Sequence, residues 1–385
     1  MALSVTPASR MLPTDESVAL LDLVREIADA ELAPKVAQYE HDGTFFRDEL
    51  RVLGAAGLLS LPYAESIGGG GQPYEVYLQA LEELAGTWLS VAISVSVHSL
   101  ACFPVAEYGT DEQKAQWLPG MLGGDQLGAY CLSEPSSGSD AAALVTRAVR
   151  DGDDYVVDGT KAWITHGGVA DFYNLMVRTS DDGARGISCL VAAADTPGLS
   201  SAPPERKMGA KASRTAQVLL DGARVPASQL VGVEGQGFKI ALAALDAGRL
   251  GIAACAVGLA QAAVDAASAY AKERRQFGRA IGEFQGIAFM LADMATQVSA
   301  ARALVLEAAR RKDRGMPFSV EAAKAKLFAT DVAMKVTTDA VQVFGGYGYV
   351  EDFPVERYMR EAKVLQIVEG TNQVQRMVIG RSLTS

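Results

Sequence analysis

The sequence predicts an α+β fold dominated by helix and laid out in three consecutive zones. These are an N-terminal α-helical domain over residues 1–124, a middle antiparallel β-barrel-like domain over 125–236, and a C-terminal helical bundle domain over 237–385. Three observations carry this expectation. Apolar residues recur at helical spacing up to about residue 122. From about 125 to 225 the pattern changes to short β-branched and aromatic runs between turn signals. After Gly237, long Ala-rich stretches run to the end. At about 150 residues per domain, 385 residues agree with two to three domains.

In the first zone, Thr14 precedes Asp15 and Glu16 and then Val18, Leu21, Val24, Ile27 and Ala28 at helical spacing; Pro34 limits that helix. The glycines at 68–71 break the pattern, and Pro73 is placed as the first residue of a new long helix. Thr110-Asp111-Glu112-Gln113 reads as a capping box opening another helix, and the segment from Gly120 to Gly124 closes the zone.

The middle zone offers strand-like runs at Tyr155–Val157, Ala162–Thr165, Tyr173–Val177, Ile187–Val191 and Gln217–Leu220. Turn signals separate them, among them Asp151-Gly152, Asp158-Gly159, Asp182-Gly183, Pro197-Gly198 and Asp221-Gly222. Closely spaced strands without intervening helices argue for an antiparallel barrel or sandwich rather than a dinucleotide-binding βαβ unit. The last zone reads as helices over about 238–272, 283–314 and 319–344, with a final helix near 373–382. Gly315-Met316-Pro317 and Gly345-Gly346-Tyr347-Gly348 are the breaks.

Composition narrows the chemistry. Lys+Arg 35 against Asp+Glu 46 gives a formal charge of -11, the wrong sign for a partner built on phosphate backbones, so no nucleic acid is expected. His41, His98 and His166 are dispersed, and Cys102, Cys131, Cys189 and Cys255 show no metal-ligand spacing, so neither a metal nor a disulfide is expected. No unbroken apolar run approaches the roughly 18 residues of a membrane span; the best, Ile252 to Ala260, stops at Gln261. The start of the chain lacks the basic-then-apolar order of a signal peptide. The expectation is a soluble, cytoplasmic protein whose chemistry comes from carboxylates, backbone groups or a bound cofactor.

Four segments are candidates for that chemistry, and each has a plainer reading beside it. Tyr130–Asp140 packs hydroxyls and small residues around Pro135, suited either to gathering donors on a phosphate or to a simple polar loop. Gln342–Tyr349 ends a helix in glycines that permit close backbone approach or merely cap it. Arg274-Arg275-Gln276-Phe277-Gly278 puts guanidinium groups at a helix end, for an anion or for solvent. Ile367-Val368-Glu369-Gly370-Thr371-Asn372 sets one carboxylate between apolar residues and a glycine. Such a carboxyl has its charged form disfavoured and becomes a stronger base; a solvated turn is the alternative.

Taken together, the order of these segments resembles the acyl-CoA dehydrogenase flavoprotein family over essentially the whole chain. The matching stretches are Tyr130–Asp140, Lys161–Gly168, Asp246-Ala247-Gly248-Arg249, Arg274–Gly278, Gln342–Gly348, and Glu369-Gly370-Thr371 followed by Gln373. The resemblance implies an α-helical domain, a small β-domain and a C-terminal four-helix bundle, assembled as a homotetramer, with FAD between β-domain and bundle. Tyr130, Leu132 and Ser133 match positions at the isoalloxazine, in one cofactor loop with Gly138 and Ser139. Trp163, Ile164 and Thr165 match its other edge. Arg274, Gln276, Phe277 and Gln285, with Gln342, Val343, Gly345 and Gly346, match positions holding the pyrophosphate and adenosine, partly across a subunit interface. Thr371, Asn372 and Gln373 match further FAD contacts. For Trp163, packing beside a strand stands as a second reading.

The implied reaction is α,β-dehydrogenation of an acyl-CoA thioester, with Glu369 taking the α-proton while the β-hydride passes to the flavin. Electrons then leave to an electron-transfer flavoprotein. Ser139, Asp246, Arg249 and Gly370 match substrate-side positions, although Arg249 can equally be an ion-pair partner of Asp246. Some branched-chain members carry the base on the helix near Asp246–Arg249; here that position is Gly248. Val368 replaces the aromatic residue common before the base, which widens the pocket near the α-carbon if it lines it. Ile93, Ser96 and Leu100 share a face of the helix expected to form the acyl pocket. No Arg or Lys occurs between Gly86 and Phe103, which disfavours acyl chains ending in a carboxylate. Short to medium acyl groups, straight or branched, remain. A flavin oxidase or monooxygenase on the same scaffold, and a non-catalytic nucleic-acid-associated relative, are the alternatives; Glu369 and the negative charge count against them.

Overall fold

The computed structural model describes residues 10–384. Helices α1 (Asp15–Ile27), α2 (Val36–Asp42), α3 (Arg47–Ala55), α4 (Tyr74–Thr87), α5 (Leu89–Tyr108) and α6 (Asp111–Gly123) come first. Thr14 caps α1 by accepting the Ser17 N–H at 3.1 Å. The box at Thr110 closes in both directions, Gln113 N to Thr110 Oγ1 at 3.2 Å and Thr110 N to Gln113 Oε1 at 3.1 Å. Pro73 lies one residue outside α4, as its N-cap, where its missing N–H costs nothing.

The sheet follows: β1 (Gly128–Cys131), β2 (Arg147–Asp151), β3 (Asp154–Thr165), β4 (Phe172–Arg178), β5 (Ile187–Ala193), β6 (Leu199–Ser201), β7 (Thr215–Pro226) and β8 (Leu230–Val231). Its order is β6-β7-β3-β2-β4-β5-β8, with β1 paired to β4. The antiparallel expectation needs one correction. β1 runs parallel to β4, from Gly128 beside Phe172 to Cys131 beside Leu175, and β2 meets β4 in parallel at Arg147 and Arg178. The β2–β3 excursion lies between β1 and β4, so the chain re-enters in the same direction and no hairpin can join them.

The remaining helices are α7 (Gly237–Glu273), α8 (Gln285–Asp313), α9 (Ser319–Phe344), α10 (Val355–Leu365) and α11 (Asn372–Thr384), with a hairpin β9 (Arg275–Gln276) and β10 (Arg279–Ala280) after α7. The sequence reading missed α10, whose short amphipathic pattern buries only Val355, Ala362 and Leu365 among its apolar positions. α7 is the axis of the molecule: it packs on α4, α5, α8 and α9. Small residues let it approach closely. A side chain on Gly258 would collide with the α4 backbone at Glu82, and one on Gly251 with Ser96 Oγ of α5.

The expectation of no membrane-length segment is also corrected. α5, α7 and α8 are long and apolar enough by length and composition to cross a membrane. The run criterion missed them because polar residues interrupt their apolar ones: serines and His98 in α5, Arg249 and Gln261 in α7, Asp293, Gln297 and Arg302 in α8. In the fold, α5 and α7 spend that apolarity on the core, whereas the apolar window of α8 is only 22% buried.

Candidate active site

The site is built from a loop that the sequence made conspicuous and a helix that it did not. α10 ends at Leu365, and Ile367 and Val368 both return their N–H groups to Val364 O, at 2.9 and 3.0 Å. Glu369 and Gly370 then adopt successive left-handed conformations, φ 52° and 88°, and Asn372 N closes the loop on Gln366 O at 3.0 Å. Gly370 takes that conformation freely, whereas a glutamate there costs on the order of 1 kcal/mol or more. The reversal turns the Glu369 side chain inward.

α9 holds the loop in place. Lys326 Nζ donates to Gly370 O and to Asn372 Oδ1, both at 2.9 Å, and Gln375 Nε2 reaches Gly370 O at 2.8 Å. Asn372 Nδ2 donates to Thr330 Oγ1 at 2.9 Å and Asp331 Oδ1 at 2.7 Å. Asn372 therefore has no polar capacity left for a ligand. Its assignment as a cofactor contact is corrected: buried at the start of α11, it clamps the loop.

Glu369 is half-buried as a residue, but both carboxylate oxygens are shut off from solvent and accept no hydrogen bond. Burial raises its pKa to about 7, against the pull of the Lys326 and Arg249 charges, which lower it. The carboxylate lies against Gly248 of α7 and close to Leu100 of α5. Arg249, one residue on, is buried and pairs with Asp246 through Nη1–Oδ1 at 2.6 Å, while Ser319 Oγ also donates to that oxygen at 2.9 Å. Of its two readings, the ion pair is therefore the one the geometry displays, and Arg249 Nε keeps no hydrogen-bond partner.

Gly248 also forms part of the wall of a cavity of about 240 Å³. Ser96 and Leu100 line it as expected, with Tyr63, Tyr74 and Tyr77. Ile93 does not. It sits nearer the start of α5, packed into the core that α4 and α7 share, because its stretch of α5 is buried on every side. Glu107 and Lys312 also reach the wall. The pocket is thus not free of cations: Lys312 comes from the end of α8, far in sequence from the segment that forms α5, with its Nζ 4.5 Å from the centre of the Tyr74 ring. Val368 is packed at the edge of the main core and is not part of this wall.

Three family models match the chain: "Acyl-CoA dehydrogenase, N-terminal domain" over residues 14–125, the middle domain over 129–223 and the C-terminal domain over 235–384. The chain belongs to the acyl-CoA dehydrogenase family. It is 43% identical over 368 residues to the acyl-CoA dehydrogenase, short-chain specific, of Clostridium acetobutylicum, covering 95% of this chain and 97% of the relative. The butyryl-CoA dehydrogenase structure from Megasphaera elsdenii superposes with a TM-score of 0.96 at 42% identity, covering 98% of this chain and all of that one. A chain in a structure named for the electron transferring flavoprotein of Acidaminococcus fermentans matches with a TM-score of 0.95 and 44% identity, covering 97% and 99%. The chain is accordingly an oxidoreductase of a flavin-dependent family.

The residues that acyl-CoA dehydrogenase motifs single out fall into two groups. In the first, Tyr130 and Leu132 are buried at the end of β1, with Tyr130 facing Glu369. Ser133 O accepts the Ala162 N–H at 2.8 Å, which sets the β1 loop beside Trp163. Trp163 is 66% exposed, with φ 61° at a bulge of β3, so the reading of core packing is corrected: its indole is free to cover a planar ligand. Ile164 points the other way, into the sheet core, so only its backbone can reach such a ligand. Thr165 is half-buried, Gly138 and Ser139 are exposed on the loop, and Thr371 and Gln373 flank the start of α11.

The second group lies elsewhere. Arg274, Gln276, Val343, Gly345 and Gly346 line a cavity of about 840 Å³. Phe277, Gln285 and Gln342 are exposed nearby on the hairpin and helix ends. Arg274 caps the end of α7, about 39 Å from Gly248 at ~1.5 Å per residue. Within one chain, then, these residues do not meet those around Tyr130.

Sequence reasoning gave no role to two buried lysines. Lys326 is one. The other is Lys161, whose Nζ contacts Glu134 Oε1 at 2.8 Å and Leu132 O at 3.2 Å with both partners buried. Glu134 also accepts Val145 N at 2.7 Å and Thr146 N at 2.9 Å, so this pair shapes the whole Tyr130–Asp140 loop. The available signal was a Lys within a strand pattern and another within an Ala-rich helix face, neither of which solvation explains.

Proposed function

We propose that the chain dehydrogenates short-chain acyl-CoA thioesters, straight or branched, to trans-2-enoyl-CoA, with Glu369 as the general base and FAD as cofactor. One observation carries the reading: a buried, unpaired carboxylate set against Gly248, which forms part of the wall of a small cavity. Thioester α-protons are too weakly acidic for an ordinary surface carboxylate, whereas a base with a pKa of about 7 is matched to proton removal near neutral pH. The Glu369 N–H makes no hydrogen bond among the described residues, so it is free to donate to the thioester carbonyl oxygen as enolate charge develops. A cavity of about 240 Å³ is small by the standards of ligand pockets and supports a short acyl chain.

The residues present fit a flavin, on the evidence of the exposed Trp163 indole beside the Ser133–Ala162 contact and of Tyr130 facing Glu369. Trp163, Thr165, Ser133 and Tyr130 would hold it, with Thr371 and Gln373 as further contacts. Bound there, FAD supplies the two-electron acceptor for the β-hydride. The separation of Arg274, Gln276 and Gly345–Gly346 from this place supports a cofactor site completed between copies of the chain. The exposed Phe289 and Leu304 of α8 support the same homotetramer. An electron-transfer flavoprotein is the acceptor we propose. Four buried, unpaired cysteines support a reducing, cytoplasmic location.

The test is anaerobic bleaching of the purified yellow protein by a panel of acyl-CoA thioesters of graded length and branching. Bleaching by butyryl- or isobutyryl-CoA, lost in Glu369→Gln with FAD retained, is expected. A flavoprotein that no acyl-CoA reduces, or a Glu369→Gln variant with full turnover, overturns the reading.

A further inference from the structure

Lys326 is fully buried, an expensive position for an ammonium group. Its hydrogen bonds go to Gly370 O and Asn372 Oδ1, one and three residues after Glu369 in the same loop, and not to the Glu369 carboxylate. A direct ion pair would occupy the oxygens that must accept a proton. A cation one residue away along the loop acts on their charge and leaves them open.

We propose that Lys326 is a positioning residue for Glu369: its ammonium fastens the base's loop through Gly370 O and Asn372 Oδ1 and supplies the positive charge that favours the carboxylate, while leaving both oxygens free. This rests on the reading of Glu369 as the base. The other groups facing Glu369 are Tyr74 and Tyr77 of α4, Tyr130 of β1, and Arg249 and Cys255 of α7. Burial pushes the three tyrosines and the cysteine up, so they stay neutral through the working range, and Arg249 is held by Asp246. On its other side Lys326 faces Asp331, which is paired with Arg376 at 3.1 Å. Burial lowers the Lys326 pKa to about 8, and the Glu369 and Asp331 charges oppose that fall, so each member of the Lys326–Glu369 couple sustains the charge of the other.

The experiment compares wild type with Lys326→Gln, which keeps a donor and removes the charge, and with Lys326→Arg, which keeps the charge. Lys326→Met, an apolar replacement of similar length, serves should the amide variant not fold. The probe is a 3-thia-acyl-CoA, which has no β-hydrogen to lose, and the readout is the pH profile of α-hydrogen exchange in D2O. FAD content and an infrared titration of the carboxyl band absent from Glu369→Gln accompany it. Removing the charge is expected to raise the midpoint of both titrations by about one pH unit, and Lys326→Arg to hold it near wild type. A folded, FAD-loaded Gln or Met variant with the wild-type midpoint overturns the role of Lys326. Exchange that survives in Glu369→Gln overturns the base reading instead.

Discussion

Gly248 of α7 and Glu369 of the α10–α11 loop share one space: a Cβ on Gly248 would stand 2.9 Å from Glu369 Cδ and closer still to Oε2. The helix can approach the carboxylate because position 248 has no side chain. Gly248→Ala should therefore fold, since alanine favours a helix interior, but push the carboxylate aside. A misplacement on the order of 1 Å costs about 10²-fold in the chemical step. Steady-state kinetics should show kcat falling with FAD content unchanged; a wild-type kcat would mean that the loop simply yields.

On the proposed reading, Glu369→Gln removes the base. Loss of a general base costs about 10²–10⁴-fold, read as the rate of anaerobic flavin bleaching. In wild type, kcat/KM should rise with pH through about 7 as Glu369 ionises.

The same substitution should change stability in a pH-dependent way. The folded pKa of Glu369 is raised above its ordinary value of 4.5, so its contribution is fully present below that value and is lost as pH rises through about 7. Wild type should accordingly lose up to about 3 kcal/mol relative to Glu369→Gln between pH 4.5 and 7, with no further loss above. Thermal melts of both proteins at pH 5 and pH 8 check it: the variant should gain Tm over wild type only at the higher pH.

Lys161→Met leaves Glu134 buried without its cation. Breaking a buried pair from one side costs about 3–5 kcal/mol. Denaturant titration should show that loss, and the variant should purify with less FAD because the Tyr130–Asp140 loop is no longer held. Lys161→Met with wild-type stability would mean that Glu134 is protonated and the pair is not ionic.

Leu100 lines the cavity beside Gly248, with its Cδ1 3.2 Å from the place of a Gly248 Cβ. Leu100→Ala should lengthen the cavity and move the kcat/KM optimum to longer acyl chains, at a stability cost of about 2–5 kcal/mol. An unchanged chain-length profile would place the acyl group elsewhere.

Most of the helices were legible because each signal lay within a few residues: Thr110 and Gln113 define a cap by themselves, and the Ala-rich period of α7 needs no partner to be recognised. The Glu369 loop was legible too, since an acid between apolar residues and a glycine departs from any surface pattern. The parallel β1–β4 pairing, by contrast, joins strands more than forty positions apart, and neither carries a mark of direction. Ile93 was assigned by the helix face it shares with Ser96 and Leu100, and Asn372 by the motif it stands in, whereas packing turned one into the core and saturated the amide of the other. Lys312 escaped a search confined to α5, because the wall of the cavity is assembled from four helices and a loop.

By itself, the sequence determined the order of helical, β and helical zones and the family, and it marked Glu369 as a candidate base. Local periodicity and short motifs encode all three. Only the tertiary structure decided that this carboxylate is unpaired, that Gly248 makes room for it, and that Lys326 supports its loop from another helix. Those properties depend on burial and on charges brought together from distant parts of the chain, and desolvation acts on a group only once the fold has closed around it.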